Sequence, residues 1–284
     1  MNENAIVTVD CETAEELFEA LRPRLPAPGR SKTIYRGCGD AAYKLIPKAL
    51  RATAKDDPAD MLILKEWALL CSFIEGCDLT GVRLPGDSAR WRESLDQNTG
   101  ALNRAAMHPS KWPDREHYEV WAMAQHHGLP TRLLDWSRSP IVAAYFAASS
   151  AMSERTSQGR LAVWSLPPDG EVFWREWLVT IAVPASDSVN LAAQQGLFSL
   201  TLLPGVRGRP LAIEAFEEIA ARIFSGDATL LRKHTLPRDE APELLELCEA
   251  YGVSGATMFP GSDGAARFAL EKHARFDEQE SRNR

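Results

Sequence analysis

Hydrophobic and polar residues alternate in short runs and recur every three or four positions in longer ones, and the two patterns are interspersed along the chain. The short apolar runs predict strands at 5–9, 33–35, 133–137, 159–165, 179–183 and 198–203. The helical spacing predicts helices at 13–22, 58–75, 115–125, 139–150, 211–224, 238–251 and 264–273. The segment 228–234 fits either a strand or a short helix. This order, without an internal repeat, predicts one α+β domain.

Residues with strong positional preferences define several helix boundaries. Thr13 and Glu16 form a capping-box pair, and Ser139 followed by Pro140 fits the N-cap and first position of a helix. The helix at 58–75 is expected to bury the apolar residues that recur along it, namely Met61, Leu64, Ala68 and Phe73.

The densest polar chemistry lies in one stretch, 124–150, with the sequence AQHHGLPTRLLDWSRSPIVAAYFAASS. It contains two adjacent histidines, a turn signal, a short strand pattern and a helix rich in small residues. Polar groups that come directly before a small-residue helix indicate a site held against a close-packed core.

Composition narrows the class of protein. The chain has 284 residues, 45% hydrophobic and 25% charged, with a formal net charge of −7. This balance argues against a generally basic nucleic-acid-binding surface. No apolar run reaches about 18 residues, so no membrane contact is expected. The N-terminus lacks the features of a signal peptide, and the five cysteines are scattered without a CxxC pair, which predicts a cytoplasmic protein.

Four sequence elements resemble the signature of the FRG domain family, which is named for a Phe/Tyr-Arg-Gly element. They are YRG at 35–37, AQHHGLPTRLLDWS at 124–137, QQGLF at 194–198 and the glycine-rich tail at 251–264. The resemblance implies a single FRG domain over 1–284, with a family-like core at about 30–270 and an irregular excursion at 76–114. One departure is Cys38, which follows the YRG element where a Gln is usual.

The order of elements also resembles the Arg-Ser-Glu class of ADP-ribosyltransferases. That resemblance implies an ADP-ribosyltransferase-like split β-sheet core with an N-terminal helical lobe, and NAD as the substrate. Matched by position, Arg36 is the dinucleotide-binding arginine and Ser137 lies in the strand that orients a ribose. Gln195 falls where the catalytic Glu belongs.

These matches give a set of candidate site residues. Six of them are expected to converge on one pocket, namely Arg36, His126, His127, Arg132, Asp135 and Gln195. The candidate catalytic residues are Arg36, His127 and Gln195. The candidate ligand-binding residues are Tyr35, Gly37, Gln125, His126, Thr131, Arg132, Asp135 and Ser137. No metal cofactor is expected for the protein. His126, His127 and Asp135 are the residues that suggest a metal site, but neighbouring residues point in different directions and HExxH spacing is absent.

Several residues have a second interpretation that the sequence leaves open. Arg132 and Asp135 can form a buried pair that fixes the turn between them. Cys38 can pair with a histidine as a nucleophile or be a buried thiol. The loop at 204–209, PGVRGR, can meet phosphates or be a solvated turn.

Two functions from different classes follow. The first is an ADP-ribosyltransferase-like enzyme that uses NAD to modify a nucleic-acid or protein target. Such an enzyme fits a bacterial toxin or phage-defence effector with an antitoxin or regulatory partner. The second is a non-catalytic nucleotide- or partner-binding module with the same fold. The neutral Gln195 favours the second, because an amide cannot stabilise a developing positive charge. The polar density at 125–139 favours the first.

Overall fold

The computed structural model describes most of the chain. The described residues are 6–22, 33–51, 57–96, 100–153, 158–166, 178–184, 189–202, 208, 213–223 and 231–282. The candidate phosphate loop at 204–209 lies outside them except for Gly208.

A seven-stranded mixed sheet forms the centre of the described structure, in the order β1-β7-β4-β2-β3-β6-β5. The strands are β1 Ile6–Asp10, β2 Ile34–Cys38, β3 Leu133–Ser137, β4 Arg160–Leu166, β5 Leu178–Ile181, β6 Gly196–Thr201 and β7 Leu231–Pro237. β1 and β7 are parallel, and every other neighbouring pair is antiparallel. Together with the helices, this sheet confirms the α+β class.

Twelve α-helices accompany the sheet in the described residues. They are α1 Ala14–Ala20, α2 Lys48–Arg51, α3 Ala59–Thr80, α4 Ala89–Leu95, α5 Ala101–Met107, α6 Tyr118–His126, α7 Pro140–Ser153, α8 Val189–Ala193, α9 Phe216–Ile223, α10 Ala241–Ala250, α11 Gly255–Met258 and α12 Ser262–Arg282. Shorter 3₁₀ turns lie at Pro109–Lys111, Arg115–His117 and Arg238–Glu240. None of the helices in the described ranges is long and apolar enough to cross a membrane.

The sheet is weakly joined at its middle, between β2 and β3. β2 pairs with β4 along its whole length, and β3 pairs with β6 in the same way. Between β2 and β3, Tyr35 and Ser137 are the one pair of residues in register. The two strands therefore diverge, and the space between them is open to a side chain.

α7 packs across one face of β2 at unusually short range. A Cβ on Gly37 would lie 2.0 Å from the carbonyl oxygen of Ala143 and 2.6 Å from the backbone nitrogen of Ala147. Tyr35 packs on the same side, in the apolar cluster that contains α7. Ile34 and Cys38 belong to the cluster on the opposite face. The glycine of the YRG element is thus required for the approach of α7.

The helical lobe lies inside the chain and not at its N-terminus. α2 to α6 come between β2 and β3, so that β1, α1 and β2 precede the lobe. The segment 76–114 contains the end of α3, α4, α5 and a 3₁₀ turn. The lobe has its own apolar cluster, which includes Leu70, Trp91 and Trp121 and continues onto Leu133 and Leu200 of the sheet.

Candidate functional site

Arg36 fills the gap between the diverging strands. It lies in the middle of β2, whereas the sequence predicted it at a strand end, and its side chain is 19% exposed. Nη1 donates to the backbone oxygen of Asp135 at 2.7 Å and lies 3.5 Å from the carboxylate Oδ2. Nε is buried and has no hydrogen-bond partner among the described residues. The guanidinium is held by Asp135 and contacts the Cys38 thiol, and its five N–H groups exceed these contacts.

A chain of hydrogen bonds orients the Asp135 carboxylate next to this guanidinium. Gln125, at the end of α6, donates from Nε2 to Asp135 Oδ1 at 2.6 Å. The hydroxyl of Thr131 donates to Gln125 Oε1 and accepts from the backbone nitrogen of Leu133. Because a carboxylate only accepts hydrogen bonds, the Gln125 amide has one orientation. The Asp135 side chain is nevertheless 64% exposed, so its carboxylate is oriented but open to solvent.

This carboxylate lines the smaller of two adjoining depressions, and Arg36 lines neither of them. A cavity of about 170 Å³ is lined by Gln125, His126, Asp135 and Gln194, with Trp136, Leu191 and Phe198 among its apolar walls. A groove of about 580 Å³ shares His126, Leu191 and Phe198 with it and adds His127, Arg83 and Glu119. His126 thus lies at the boundary between the two, and its ring meets that of His127 edge-on at 5.3 Å.

Asp135 is the one carboxylate that lines the smaller cavity within the described part of the chain. Gln195 does not line it. Gln195 is exposed in the turn before β6 with a φ of 47°, and its backbone oxygen accepts from Arg138. The neighbouring Gln194 lines the cavity instead and donates from Nε2 to the backbone oxygen of Met258. The QQGLF motif indicated this region, but only the folded turn before β6 shows that Gln194, and not Gln195, lines the cavity.

Arg132 and Ser137 lie in structural positions away from solvent. Arg132 is buried and donates to Glu66, and the two backbone oxygens that it also contacts belong to Trp112 and Thr201. The carboxylate partner of Arg132 is therefore Glu66. The Asp135 carboxylate lies beside Arg36 instead. The alternative of an Arg132–Asp135 pair does not occur. The Ser137 hydroxyl donates to the backbone oxygen of Gln194 at 2.8 Å and fixes the turn before β6.

The remaining residues of the YRG region are also held by packing. Tyr35 is half-buried against the α7 cluster, and burial raises its pKa. Burial likewise raises the pKa of Cys38, an effect that the nearby Arg36 guanidinium offsets only in part. Cys38 is accordingly a protonated thiol at neutral pH, which agrees with a buried thiol and not with an activated nucleophile.

Comparison with known proteins identifies a family for the part of the chain that holds most of this site. No curated protein and no solved structure matches the chain. The model of the FRG domain matches residues 31–156, a range that contains Arg36, Gln125, His126 and Asp135 and ends before Gln194. Residues 31–156 therefore match the FRG domain family, which agrees with the resemblance of the YRG and AQHHGLPTRLLDWS elements.

Proposed function

We propose that the chain is an ADP-ribosyltransferase-like enzyme that uses NAD as its substrate. The observation that carries the proposal is the position of Arg36 in the gap between β2 and β3, beside the exposed carboxylate of Asp135. A guanidinium with free donors suits a pyrophosphate or a ribose, and an oriented carboxylate suits a developing positive charge.

The chemistry assigns a separate role to each of these groups. The bond between nicotinamide and C1′ of its ribose breaks, nicotinamide leaves, and the nucleophile of the target forms the new bond to C1′. Asp135 stabilises the oxocarbenium-like ribose in between. The proton of the target nucleophile passes to His126, which lines the cavity, or to His127, which lines the adjoining groove, and both side chains are exposed. In this proposal Asp135 supplies the negative charge that the neutral amide of Gln195 cannot supply.

The dimensions of the two depressions are compatible with a ligand of this size. The cavity of about 170 Å³ is smaller than the range in which drug-sized ligands are usually held. The adjoining groove of about 580 Å³ falls within that range. The smaller cavity accordingly accepts one end of the ligand, and the groove accepts the remainder or the target.

A non-catalytic nucleotide-binding module is the second candidate. The observation in its favour is Gln195, which carries a neutral amide and is turned to the surface. Under this alternative, Arg36 and Asp135 hold a nucleotide or a modified partner without breaking a bond. The first candidate function also includes a target protein or nucleic acid, an antitoxin or regulatory partner, and a role as a toxin or in phage defence.

The experiment that separates the candidates measures binding and bond cleavage on the same protein. Calorimetry with NAD reports binding, and NAD labelled in the nicotinamide reports its release. The enzyme hypothesis expects Asp135→Asn to retain binding and lose nicotinamide release, and Arg36→Lys to weaken binding because an ammonium cannot replace the planar fork.

Two matched control variants alter a charged residue outside the candidate site. Arg160→Lys alters an arginine of β4 that donates to Thr235, and Asp78→Asn alters an exposed aspartate that pairs with Arg92. Both controls are expected to behave as the unaltered protein. Binding without nicotinamide release supports the second candidate, and absence of NAD binding rejects the NAD-using enzyme.

A further inference from the structure

A second group of potential ligand atoms lies outside the candidate site, where the chain enters α6. A ring nitrogen of His117 and carboxylate oxygens of Asp114 and Glu116 all lie within 4.8 Å of one another. His117 is completely buried, whereas Asp114 and Glu116 are exposed. The sequence predicted no metal, on the basis of His126, His127 and Asp135, none of which belongs to this group.

The hydrogen bonds of Ser94 determine the tautomer of His117. The Ser94 hydroxyl donates to the backbone oxygen of Trp91 at 2.6 Å, and this bond uses its single proton. The same oxygen lies 3.0 Å from His117 Nε2. Ser94 can therefore only accept from the ring, so that Nε2 carries a proton and Nδ1 carries a lone pair.

The lone pair of Nδ1 has no protein partner. Nδ1 is buried and makes no hydrogen bond among the residues that the structure describes. Trp91 and Trp112 hold the ring from two sides, each at 5.7 Å between ring centroids, which prevents it from turning Nδ1 toward another donor. A buried acceptor without a donor is uncommon in folded proteins, and a bound ion is one of the groups that satisfy it.

We propose that Asp114, Glu116 and His117 bind a divalent transition-metal ion of the zinc class, with Nδ1 of His117 and one oxygen from each carboxylate as ligands. Nitrogen and carboxylate ligands suit such an ion, whereas magnesium and calcium prefer oxygen ligands throughout. Metal-bound histidines normally donate their other ring N–H to a neighbouring acceptor, and Ser94 is that acceptor here.

The carboxylates complete the site by small side-chain movements. Zinc–oxygen and zinc–nitrogen bonds are about 2.0–2.2 Å long, so ligand atoms within 4.8 Å of one another must close around the ion. Both carboxylates are exposed on the 3₁₀ turn Arg115–His117 or directly before it, and are free to rotate inward. Water occupies the fourth position, and the ion fixes the start of α6, whose other end presents Gln125 and His126.

The test is a calorimetric titration of the full-length, metal-stripped protein with ZnCl₂. One equivalent is expected to bind. The double variant Asp114→Asn/Glu116→Gln is expected to weaken binding at least about tenfold, since even residues behind the direct ligands have effects of that size. The control Glu15→Gln/Glu19→Gln removes two exposed carboxylates of α1 and is expected to leave binding unchanged.

A spectroscopic measurement tests the assignment of the ligand atom. The ¹⁵N resonances of the His117 ring are expected to show a protonated Nε2 before zinc is added and a shift at Nδ1 after it is added. Absence of stoichiometric binding, equal affinity in the two double variants, or a protonated Nδ1 in the metal-free protein would each overturn the proposal. The carboxylate variants alter exposed side chains, so loss of fold does not obscure the result.

Discussion

Arg132 donates from Nε to the Glu66 carboxylate at 2.7 Å, and both side chains are almost fully buried. Nη1 and Nη2 donate to the backbone oxygens of Thr201 and Trp112. Glu66 belongs to α3 of the helical lobe, and Arg132 directly precedes β3 of the sheet. This pair therefore connects the lobe to the sheet through charge-assisted hydrogen bonds in a site without water access.

Glu66→Gln is expected to lower the free energy of unfolding by about 3–5 kcal/mol, because it leaves a buried guanidinium without its counter-charge. Urea denaturation measures the loss. The control Asp78→Asn breaks an exposed pair with Arg92 and is expected to cost less than about 1 kcal/mol. Similar small losses in both variants would show that the buried pair does not hold the lobe to the sheet.

Local signals in the sequence were sufficient for several elements of the fold. The strand predicted at 133–137 is β3, Leu133–Ser137. The helix predicted to begin after Ser139 is α7, and the Ser139 hydroxyl accepts from the backbone nitrogen of Val142. Thr13 accepts from the backbone nitrogen of Glu16 at the start of α1, as its capping pattern indicated. These features depend on neighbouring residues, which the sequence displays directly.

Features that depend on distant residues could not be predicted in the same way. The helix at 58–75 was expected to bury Met61 and Ala68, but both are exposed, and Glu66 is buried instead. The partner of Glu66 is Arg132, which no helical spacing can reveal. The sequence predicted a strand at 33–35, which placed Arg36 at the strand end. In the structure Gly37 continues the strand opposite Val163 and makes room for α7.

Gly37→Ala is expected to destabilise the protein by at least about 2 kcal/mol, because the added Cβ meets backbone atoms of α7 that cannot turn aside. Thermal and urea unfolding measure the change. Gly76→Ala is the matched control, since Gly76 lies within α3 and no atom of the described residues is within 4 Å of its added Cβ. That control is expected to gain about 0.5–1 kcal/mol from helix propensity. A stable Gly37→Ala variant would mean that α7 can move away from β2.

Stability is expected to fall in mild acid because of His234. Burial, with a contribution from Arg232, lowers the pKa of His234 to about 4 from 6.5. Between these values the unfolded chain binds more protons than the folded one, so the free energy of unfolding rises with pH across this window. The contribution of His234 is about 1.4 kcal/mol per pH unit.

Urea denaturation at pH 4.5 and pH 7 measures this dependence. His234→Gln is expected to remove part of the slope, whatever its effect on stability at neutral pH. His273→Gln provides the control for loss of a histidine, since His273 is exposed on α12. Equal slopes in the unaltered protein and the His234 variant would contradict the assignment.

Asp135→Ala is expected to affect ligand binding far more than stability. The Asp135 side chain is 64% exposed, so its loss should change the free energy of unfolding by less than about 1 kcal/mol. The shorter bond of Arg36, at 2.7 Å, goes to the backbone oxygen of Asp135, which alanine retains, so the guanidinium stays in place. If Asp135 faces the ribose of NAD, nicotinamide release is expected to disappear while the melting temperature is preserved.

Asp87→Ala, at an exposed aspartate bound to Arg92, controls for loss of a surface carboxylate. A large loss of stability in Asp135→Ala would make the residue structural, and unchanged release would remove its carboxylate from the proposed chemistry.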